Sequence, residues 1–531
     1  MPRTTSFRRY GKGAARTRAE ELFAELPKSP EKKTADISID FLTDQLGLVS
    51  LDDRVKKDEA LQEVVLDESE TEDSDSWAPD GSSGAQSSDI SYDGLRILTW
   101  DDVCPFGSRI VKIAEASYAE VYRISNDRGT SIIKVIRLES PIKPQTKAQE
   151  RSGLVDEEPH CEDDLAGEIK ISEWLADIPG FVVYKERYIV RGKAPKSLLE
   201  THQTFQRRVK RQDPDRLQFY PSPSRYLDDT RFLVVELGDA GTALEDFHLE
   251  SIDQLWDIFF HTAIALARAE DLVNFEVGML ILPIVIPWSR ANPMTVQHRD
   301  LHEGNLCIRH PGKSLPRPEK TSCQFGYSGL DITILDYGLS RAEGGDDEVG
   351  QDEPTPVAYD LEKDLNIFTS THASQCKVYR QMRSFLLEGD RTCLPPKAHT
   401  RPYDSGVDGP ISWTGYYPYT NVLWLAYLYQ YLTGNFRGES RDLSQFKRTT
   451  KEFWCHLNPD ASRDILSFSR AGDVVTYAVE AGWIREAQLA GDHFDSTDAG
   501  GYNESIIEAS ILEDDSHLRR SPRRRKPRML D

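Results

Sequence analysis

Residues 298–305 read HRDLHEGN, with an aspartate two positions after a histidine and an asparagine five positions after that aspartate. In the pattern H-R-D-L-x-x-x-N the carboxylate accepts the proton of an attacking hydroxyl, and the amide returns to a metal ion that bridges phosphates. Asp300 and Asn305 fill those roles, and every fixed position of the pattern is occupied. Further along, LDITILDYGLSR (330–341) sets Asp336 at the end of an apolar run, ahead of an aromatic residue and a glycine. That is the place of the main Mg2+ ligand in phosphoryl transfer, and Tyr337 is expected to pack on the helix that carries an ion-pair partner. Upstream, SIIKVIRL (131–138) carries Lys134 within a strand, where an ammonium can reach the α- and β-phosphates of ATP. Its partner is expected at Glu168 in DLAGEIKISEW, with Glu173 second, because Glu168, Ile171 and Leu175 share one helical face. Together, Lys134, Glu168, Asp300, Asn305 and Asp336 would supply a phosphate clamp, two Mg2+ sites and a base. Phosphoryl transfer needs this kind of positioning and electrostatics more than covalent help.

These groups require a cleft. VKIAEASYAEVYRI (111–124) has the length of a hairpin that covers phosphates, yet it contains no glycine. Counted back from Lys134, Ala114, Ala116, Ala119 and Val121 take the register of G-x-G-x-x-G-x-V. Ile113, these alanines and Val121 are therefore expected over the nucleotide. Alanine lacks glycine's easy access to positive φ, so a stiffer, higher roof and weakened nucleotide affinity are expected. LVVELGDAG (233–241) reads as a buried strand entering a linker between lobes. Backbone groups from Glu236 through Gly238 to Ala240 would hydrogen-bond adenine, with Leu237 closing the back of the pocket.

The surrounding elements follow from pattern. FGSRIVKIAEASYAEVYRI (106–124) and TSIIKVIRL (130–138) alternate as consecutive strands, with SNDRG (125–129) as the turn. After a polar insertion at 141–153, residues 157–178 read as a helix and 231–238 as a buried strand. Residues 251–275 form a long, largely apolar helical pattern, and helical character resumes at 419–432 and 450–457. Strands first and helices later predict an α+β protein of two lobes. The small β-rich N-lobe would run over about 95–236 and the mostly helical C-lobe over about 241–460. Residues 1–94 read as a partly disordered, acidic leader, and 461–531 as a C-terminal extension with a basic tail at 519–528.

The 531-residue chain carries 65 Lys and Arg against 88 Asp and Glu, a net charge of −23. This balance disfavours nucleic-acid binding over the whole surface; the basic tail alone could anchor nucleic acid or direct nuclear import. Seven scattered cysteines with no CxxC pair point to free thiols in a reducing compartment. No membrane association is expected, since the apolar run VGMLILPIVIPW (277–288) is shorter than the about 20 residues of a spanning helix. The basic N-terminus lacks the apolar stretch of a signal peptide.

The motifs resemble those of the haspin family of atypical eukaryotic Ser/Thr protein kinases. HRDLHEGN is similar to the family's HRDLHWGN, including His302 where common Ser/Thr kinases place a lysine, and ILDYGLSR to IIDYTLSR. Phe368-Thr369, VYRQMR (378–383) and above all YYPYTNVLWLAYL (416–428) resemble DLFTG, IYRLM and YHPYSNVLWLHYL. The resemblance covers roughly 95–460. It implies a bilobal kinase fold, ATP and Mg2+ as cofactors, His302 as part of the catalytic loop, and a threonine of a histone tail on chromatin as phosphoacceptor. Nuclear localisation with some cytoplasmic presence, mitotic timing and a monomeric chain are expected with it. No APE motif follows DYG, which implies a reorganised activation segment that does not await phosphorylation. STHASQCK (370–377) departs from the family's GDGDYQFD, and Glu303 stands where the family has tryptophan. Asp360, Glu362 and Asp364 are then the acids left to meet a basic tail.

One segment fits none of this. VGMLILPIVIPWSRANPMTVQ (277–297) separates the long helix from HRDLH, where the family passes almost directly from one to the other. Exposed, it would be an apolar patch; buried, it would disturb the core. It begins with Val, whose codons start GT, and ends with Gln, which CAG encodes; Ala291-Asn292 can be written GCTAAC, a branch-like sequence. It is therefore expected to be an intron retained in the gene model. Two other functional readings stand beside the main one: a small-molecule kinase sharing the HxD…N pattern, and a weak or inactive pseudokinase serving as a chromatin scaffold. The order of motifs argues against the first, the complete set of charged residues against the second.

Overall fold

The computed structural model describes residues 95–270, 295–344, 355–489 and 505–507, apart from positions 117–118, 152–153, 155, 215–217, 219, 312–313, 319–320, 372, 404 and 408. The acidic leader, residues 277–294 of the insertion and the basic tail lie outside the described residues.

A six-stranded sheet in the order β1-β5-β6-β4-β3-β2 forms the N-lobe. Its strands are β1 (Ile97–Leu98), β2 (Arg109–Glu115), β3 (Glu120–Asn126), β4 (Gly129–Arg137), β5 (Tyr184–Arg191) and β6 (Arg231–Gly238). All neighbours are antiparallel except the short β1–β5 pair. The alternating stretch 106–124 thus divides into two strands around a loop, and the turn expected after it closes at Asn126 opposite Gly129.

Period-two alternation sorts the side chains onto two faces. In β4, Ile133 and Val135 join an outer cluster with Tyr122, Tyr188 and Phe232, while Ile132 and Ile136 pack on the main core. Lys134, between them, is therefore carried on the inner face. In β6, Leu233, Val235 and Leu237 face the main core, and Phe232 and Val234 the outer cluster. Helix α1 (Glu162–Leu175) brings Leu165, Ile169, Trp174 and Leu175 into the inner core. Helix α2 (Lys196–Gln212) buries Leu198, His202, Phe205 and Val209, the spacing of one helical face. It packs on β2.

The C-lobe is built on α3 (Ile252–Glu270) and α5 (Tyr419–Asn435), both buried on nearly every side, as helices apolar all round must be. Around them lie α4 (Gln375–Glu388), α6 (Ser440–Thr449), α7 (Lys451–Leu457) and α8 (Ala471–Glu480). Helix α4 ends on Gly389, whose φ of 69° gives the left-handed cap that glycine adopts without strain. The C-lobe boundary expected at 460 is too early. Val474, Val475 and Ala478 of α8 are core residues, and Trp483 packs edge-on to Trp256 at 5.1 Å between ring centroids. Burial of each such side chain contributes about 1.5–3 kcal/mol, so the lobe is incomplete without this segment.

Two small sheets set up the cleft. One has the order β10-β9-β7, from β7 (Thr242–Ala243), β9 (Leu306–Arg309) and β10 (Asp331–Ile334). The other has the order β12-β11-β8, from β8 (Thr295–Gln297), β11 (Arg341–Glu343) and β12 (Val357–Ala358). Residues 298–305 hang between β8 and β9, and Asp336 follows β10. The last three residues of the apolar insertion are β8 itself, with Val296 and Gln297 buried and paired with Ala342 and Arg341. For these residues the expectation of no place in the core fails, because an extended strand is what β11 requires as its neighbour. The architecture is the bilobal α+β fold expected. All seven cysteines are free, and among the described residues no helix is long and apolar enough to cross a membrane.

Candidate active site

Strand β4 and helix α1 meet through Lys134, whose Nζ donates to Oε1 of Glu168 at 2.8 Å and lies 3.6 Å from Oδ2 of Asp336. Burial works against the ammonium, but the carboxylates of Asp336 and Glu168 outweigh it and hold the Lys134 pKa above its usual value. Glu173, the second candidate, instead accepts from Arg187 at 2.8 Å. Asp336 has φ of 60°, a left-handed conformation that is costly for a non-glycine residue and turns its carboxylate toward Lys134. Burial favours the neutral acid; Lys134 and the Gly338 N–H outweigh that and lower the Asp336 pKa. Tyr337 does not lie flat on α1. Its ring packs against Phe181 and His298, and its hydroxyl donates to Ile334 O at 3.2 Å while accepting from Val182 N at 3.3 Å. It faces Leu165, Glu168 and Ile169 of α1 across a narrow cavity.

The catalytic loop is fixed from several sides. Asn305 Nδ2 donates to Asp300 O at 2.8 Å and to Asp300 Oδ2 at 3.3 Å. Tyr379 of α4 donates its phenol to Asp300 Oδ1. Burial pushes the Asp300 carboxyl up to about 6, opposed by His302 and the Tyr379 hydrogen bond. His302 accepts from Gly304 N at 3.0 Å through Nδ1, and its Nε2 stands 3.8 Å from Asp300 Oδ1. A Cβ at Gly304 would lie 2.8 Å from His302 Cε1, so only glycine permits this tight loop. His298 is buried, its pKa lowered to about 4 by desolvation, with Nε2 at 2.8 Å from Leu335 O. It thereby ties the loop to the strand that carries Asp336.

Arg299, at φ 64°, is entirely buried. It donates to Gln297 Oε1 and, at 2.7 Å, to Trp413 O. A guanidinium so enclosed is not placed to receive a phosphorylated loop. The segment after Asp336 is held instead by β11, where Arg341 donates to Thr414 O at 2.9 Å and pairs with Glu343.

The roof differs from expectation in one respect. Among the described residues only Arg299 and Asp336 combine a side chain with positive φ, so Ala114, Ala116 and Ala119 sit in backbone that alanine adopts freely. Ala116 N donates to Ala119 O at 2.8 Å, closing the loop, and Tyr220 donates to Ala116 O at 2.6 Å. Ala119 is fully buried in the main core. Ala114 pairs with Val121 across a bulge at Ile113, and Val121 pairs with Lys134. The positive φ on which the expected higher roof depended is not found at Ala114, Ala116 or Ala119.

Leu237 lies opposite Ile132 and, with Val235, lines the cavity behind Lys134. The expectation for Glu236 concerned its backbone; alternation along β6 turns its carboxylate to the outer face, where it accepts from Ser131 Oγ at 2.7 Å. Only its backbone borders the cleft. Gly238, next along, donates its N–H to Val183 O at 2.9 Å, so its amide is not free for adenine.

Glu362 is a correction. Both its oxygens bind Arg383 at 2.7 Å, and that guanidinium is fully buried, so Glu362 serves the core and not a basic partner. Acids beside the loop were not read from sequence: Glu245, pushed up to about 7 by burial and by Asp246, lies near His302 and Glu303. Glu303 accepts from Tyr427 at 2.5 Å. Tyr379, Val235 and Gln297 were also missed, since a tyrosine, a valine and a glutamine carry no spacing signal of their own.

Among the described residues no three His, Cys, Asp or Glu side chains cluster as a metal cage. Mg2+ in phosphoryl transfer is held by one or two protein oxygens together with substrate phosphates. Asp336 and the Asn305 amide oxygen, whose Nδ2 is committed to Asp300, are the groups that would hold it.

A β-sheet lobe bearing the Lys134–Glu168 pair, with a helical lobe bearing Asp300, Asn305 and Asp336, is the arrangement of a protein-kinase fold. The haspin-like kinase domain model matches residues 51–478, and the chain belongs to that family. It is 26% identical over 361 residues to the serine/threonine-protein kinase haspin homolog of Schizosaccharomyces pombe, covering 63% of this chain and 58% of that one. It is 26% identical over 372 residues to serine/threonine-protein kinase haspin of Mus musculus, covering 69% and 41%. The Drosophila melanogaster homolog is 24% identical over 338 residues, covering 60% and 47%. The chain thus spans about half the length of the curated relatives it matches.

Proposed function

We propose that this chain transfers the γ-phosphoryl group of ATP, with Mg2+, to a Ser or Thr hydroxyl of a protein, and that the acceptor is a threonine of a basic histone tail on chromatin. The observation that carries the reading is the convergence of Lys134, Glu168 and Asp336 within ion-pair distance across both lobes. Lys134, oriented by Glu168, neutralises the α- and β-phosphates. Mg2+, when bound at Asp336 and Asn305, supplies charge neutralisation of the transferring group. Asp300 accepts the proton of the acceptor hydroxyl, and Tyr379 and Asn305 fix the direction from which it does so. Leu237 and Val235 keep water and larger groups from the back of the cleft.

The preference for a basic substrate is supported by Glu245, Asp246 and Glu303 beside the loop. Nuclear residence, with some cytoplasmic presence, and a monomeric enzyme complete the reading. Mass spectrometry of a histone mixture incubated with the chain and ATP tests it. A single phosphothreonine near a tail N-terminus is expected. Phosphate confined to acidic proteins or to small molecules would overturn the substrate class.

A further inference from the structure

Ser505, Ile506 and Ile507, far beyond the kinase motifs in sequence, lie on the outer face of the N-lobe sheet. Ile506 and Ile507 are 4% and 1% exposed and belong to the cluster that holds Trp100, Tyr188 and Phe232. Ser505 Oγ donates to Glu236 Oε2 at 2.6 Å, and Ile506 N donates to Glu236 Oε1 at 3.0 Å. Tyr188 OH lies 2.8 Å from Ser505 Oγ, and Asn126 Nδ2 donates to Ile506 O at 3.5 Å. A carboxylate buried to 0% exposure on an apolar sheet face is costly unless satisfied. Of its hydrogen bonds, the Ser131 hydroxyl alone comes from the sheet. The other two come from this segment. Before it, the described chain ends at Leu489, whose carbonyl accepts from Arg268 Nη2 at 2.8 Å.

We propose that Ser505–Ile507 is a docking segment that acts in cis: the outer face of the N-lobe is a receptor for it, and its docking holds β6 in the position that binds nucleotide. Glu236 is the anchor, reading a hydroxyl and a backbone N–H, and the two isoleucines fill the apolar groove. Its neighbour in β6, Leu237, closes the adenine pocket, so a strand held on its outer face is held on its inner face too. The proposed effect on nucleotide rests on the kinase reading; the docking itself does not.

The test uses the full chain. Amide exchange should show Ile506 and Ile507 protected in the wild type, with protection lost there and in β6 in Ile506→Asp. Ser505→Asp, which sets a second carboxylate against Glu236, should do the same. Adding Glu236→Gln to Ser505→Asp should restore protection, a rescue that mere loss of packing would not give. If docking keeps β6 binding-competent, Ile506→Asp should raise the KM for ATP about tenfold, with kcat within about twofold of wild type. Free-peptide exchange at 506–507 in the wild type would overturn the docking. Lost protection with an unchanged KM would overturn its link to the hinge strand. A wild type that neither binds nucleotide nor transfers phosphate would overturn the kinase reading, while exchange would still decide the docking.

Discussion

The phenol of Tyr379 donates to Oδ1 of Asp300 from a helix 79 positions further along the chain. The group that should accept the substrate proton is therefore aimed by a residue outside its own loop. Burial lifts the Asp300 carboxyl to about 6, and Tyr379 and His302 restrain that rise. A base works only when ionised, so kcat/KM should fall as pH drops through about 6. The stability effect has the opposite sign. The folded state binds this proton more tightly between 3.8 and about 6, so the group's contribution to stability declines as pH rises through that window. Tyr379→Phe should move the acid limb of the pH–rate profile to higher pH, while Asp300→Asn should lower kcat by about 10²–10⁴-fold. An acid limb that does not move would remove Tyr379 from this role.

The alanine roof calls for a revised expectation. Sequence alone argued that glycine at 114, 116 and 119 would tighten ATP binding, because alanine resists positive φ. None of these residues has positive φ. The triple glycine variant should therefore leave the ATP dissociation constant within about threefold and lower stability by about 0.5–1 kcal/mol per substitution. Calorimetry of binding and of unfolding measures both. Markedly tighter binding would show that the alanines stiffen the roof at the expense of nucleotide affinity.

Acids around the cleft should divide by role. Glu362→Ala strips the partner from the fully buried Arg383 and should cost about 3–5 kcal/mol, seen in urea unfolding. Glu303→Gln should leave stability nearly unchanged but raise the KM for a basic peptide about tenfold. Since Glu245 titrates near 7, the KM for that peptide should fall as pH rises through this value. A Glu362→Ala chain that folds normally with weakened peptide binding would reverse the assignment.

The apolar insertion leaves a trace at its end. Gln297 Oε1 accepts from Arg299 Nε at 3.1 Å and Nη2 at 2.7 Å. Its own Nε2 and Arg299 Nη1 are buried without a hydrogen-bond partner among the described residues. Burial and the nearby Arg341 lower the Arg299 pKa to about 9. Deleting 277–297 sets Glu276 directly before His298, replacing that amide by a carboxylate. The deleted chain should be more stable, by about 1–3 kcal/mol for a charge-assisted bond to a buried group, and adding Glu276→Gln should erase the difference. Sequenced transcripts should lack these codons; transcripts that all contain them would refute the intron.

How much could be read beforehand depended on whether a residue acts through spacing or through contact. Asp300, Asn305 and Asp336 belong to short patterns, and Lys134 to an alternating strand, so their positions followed from local sequence. Strand β6 was legible to its ends because a continuous apolar run between a charged residue and a glycine has one simple reading. Helix α2 was missed: its buried face is carried by Leu198, His202, Phe205 and Val209 within an otherwise polar, basic stretch. For Glu236 the place of its backbone in the linker strand was legible, while the partners of its buried carboxylate were not. One of those partners, the Ile506 N–H, lies 270 positions further along the chain. Glu362 was misread for the same reason, since its partner Arg383 lies on another element.

The central claim is that the converged charges perform phosphoryl transfer. It is tested most directly by labelled phosphate transfer from ATP to a histone tail, comparing the intact chain with Asp336→Ala. The account predicts labelling of a tail threonine by the intact chain and a loss of at least about 10²-fold in the variant. Equal labelling by both proteins, or none by either, would contradict it.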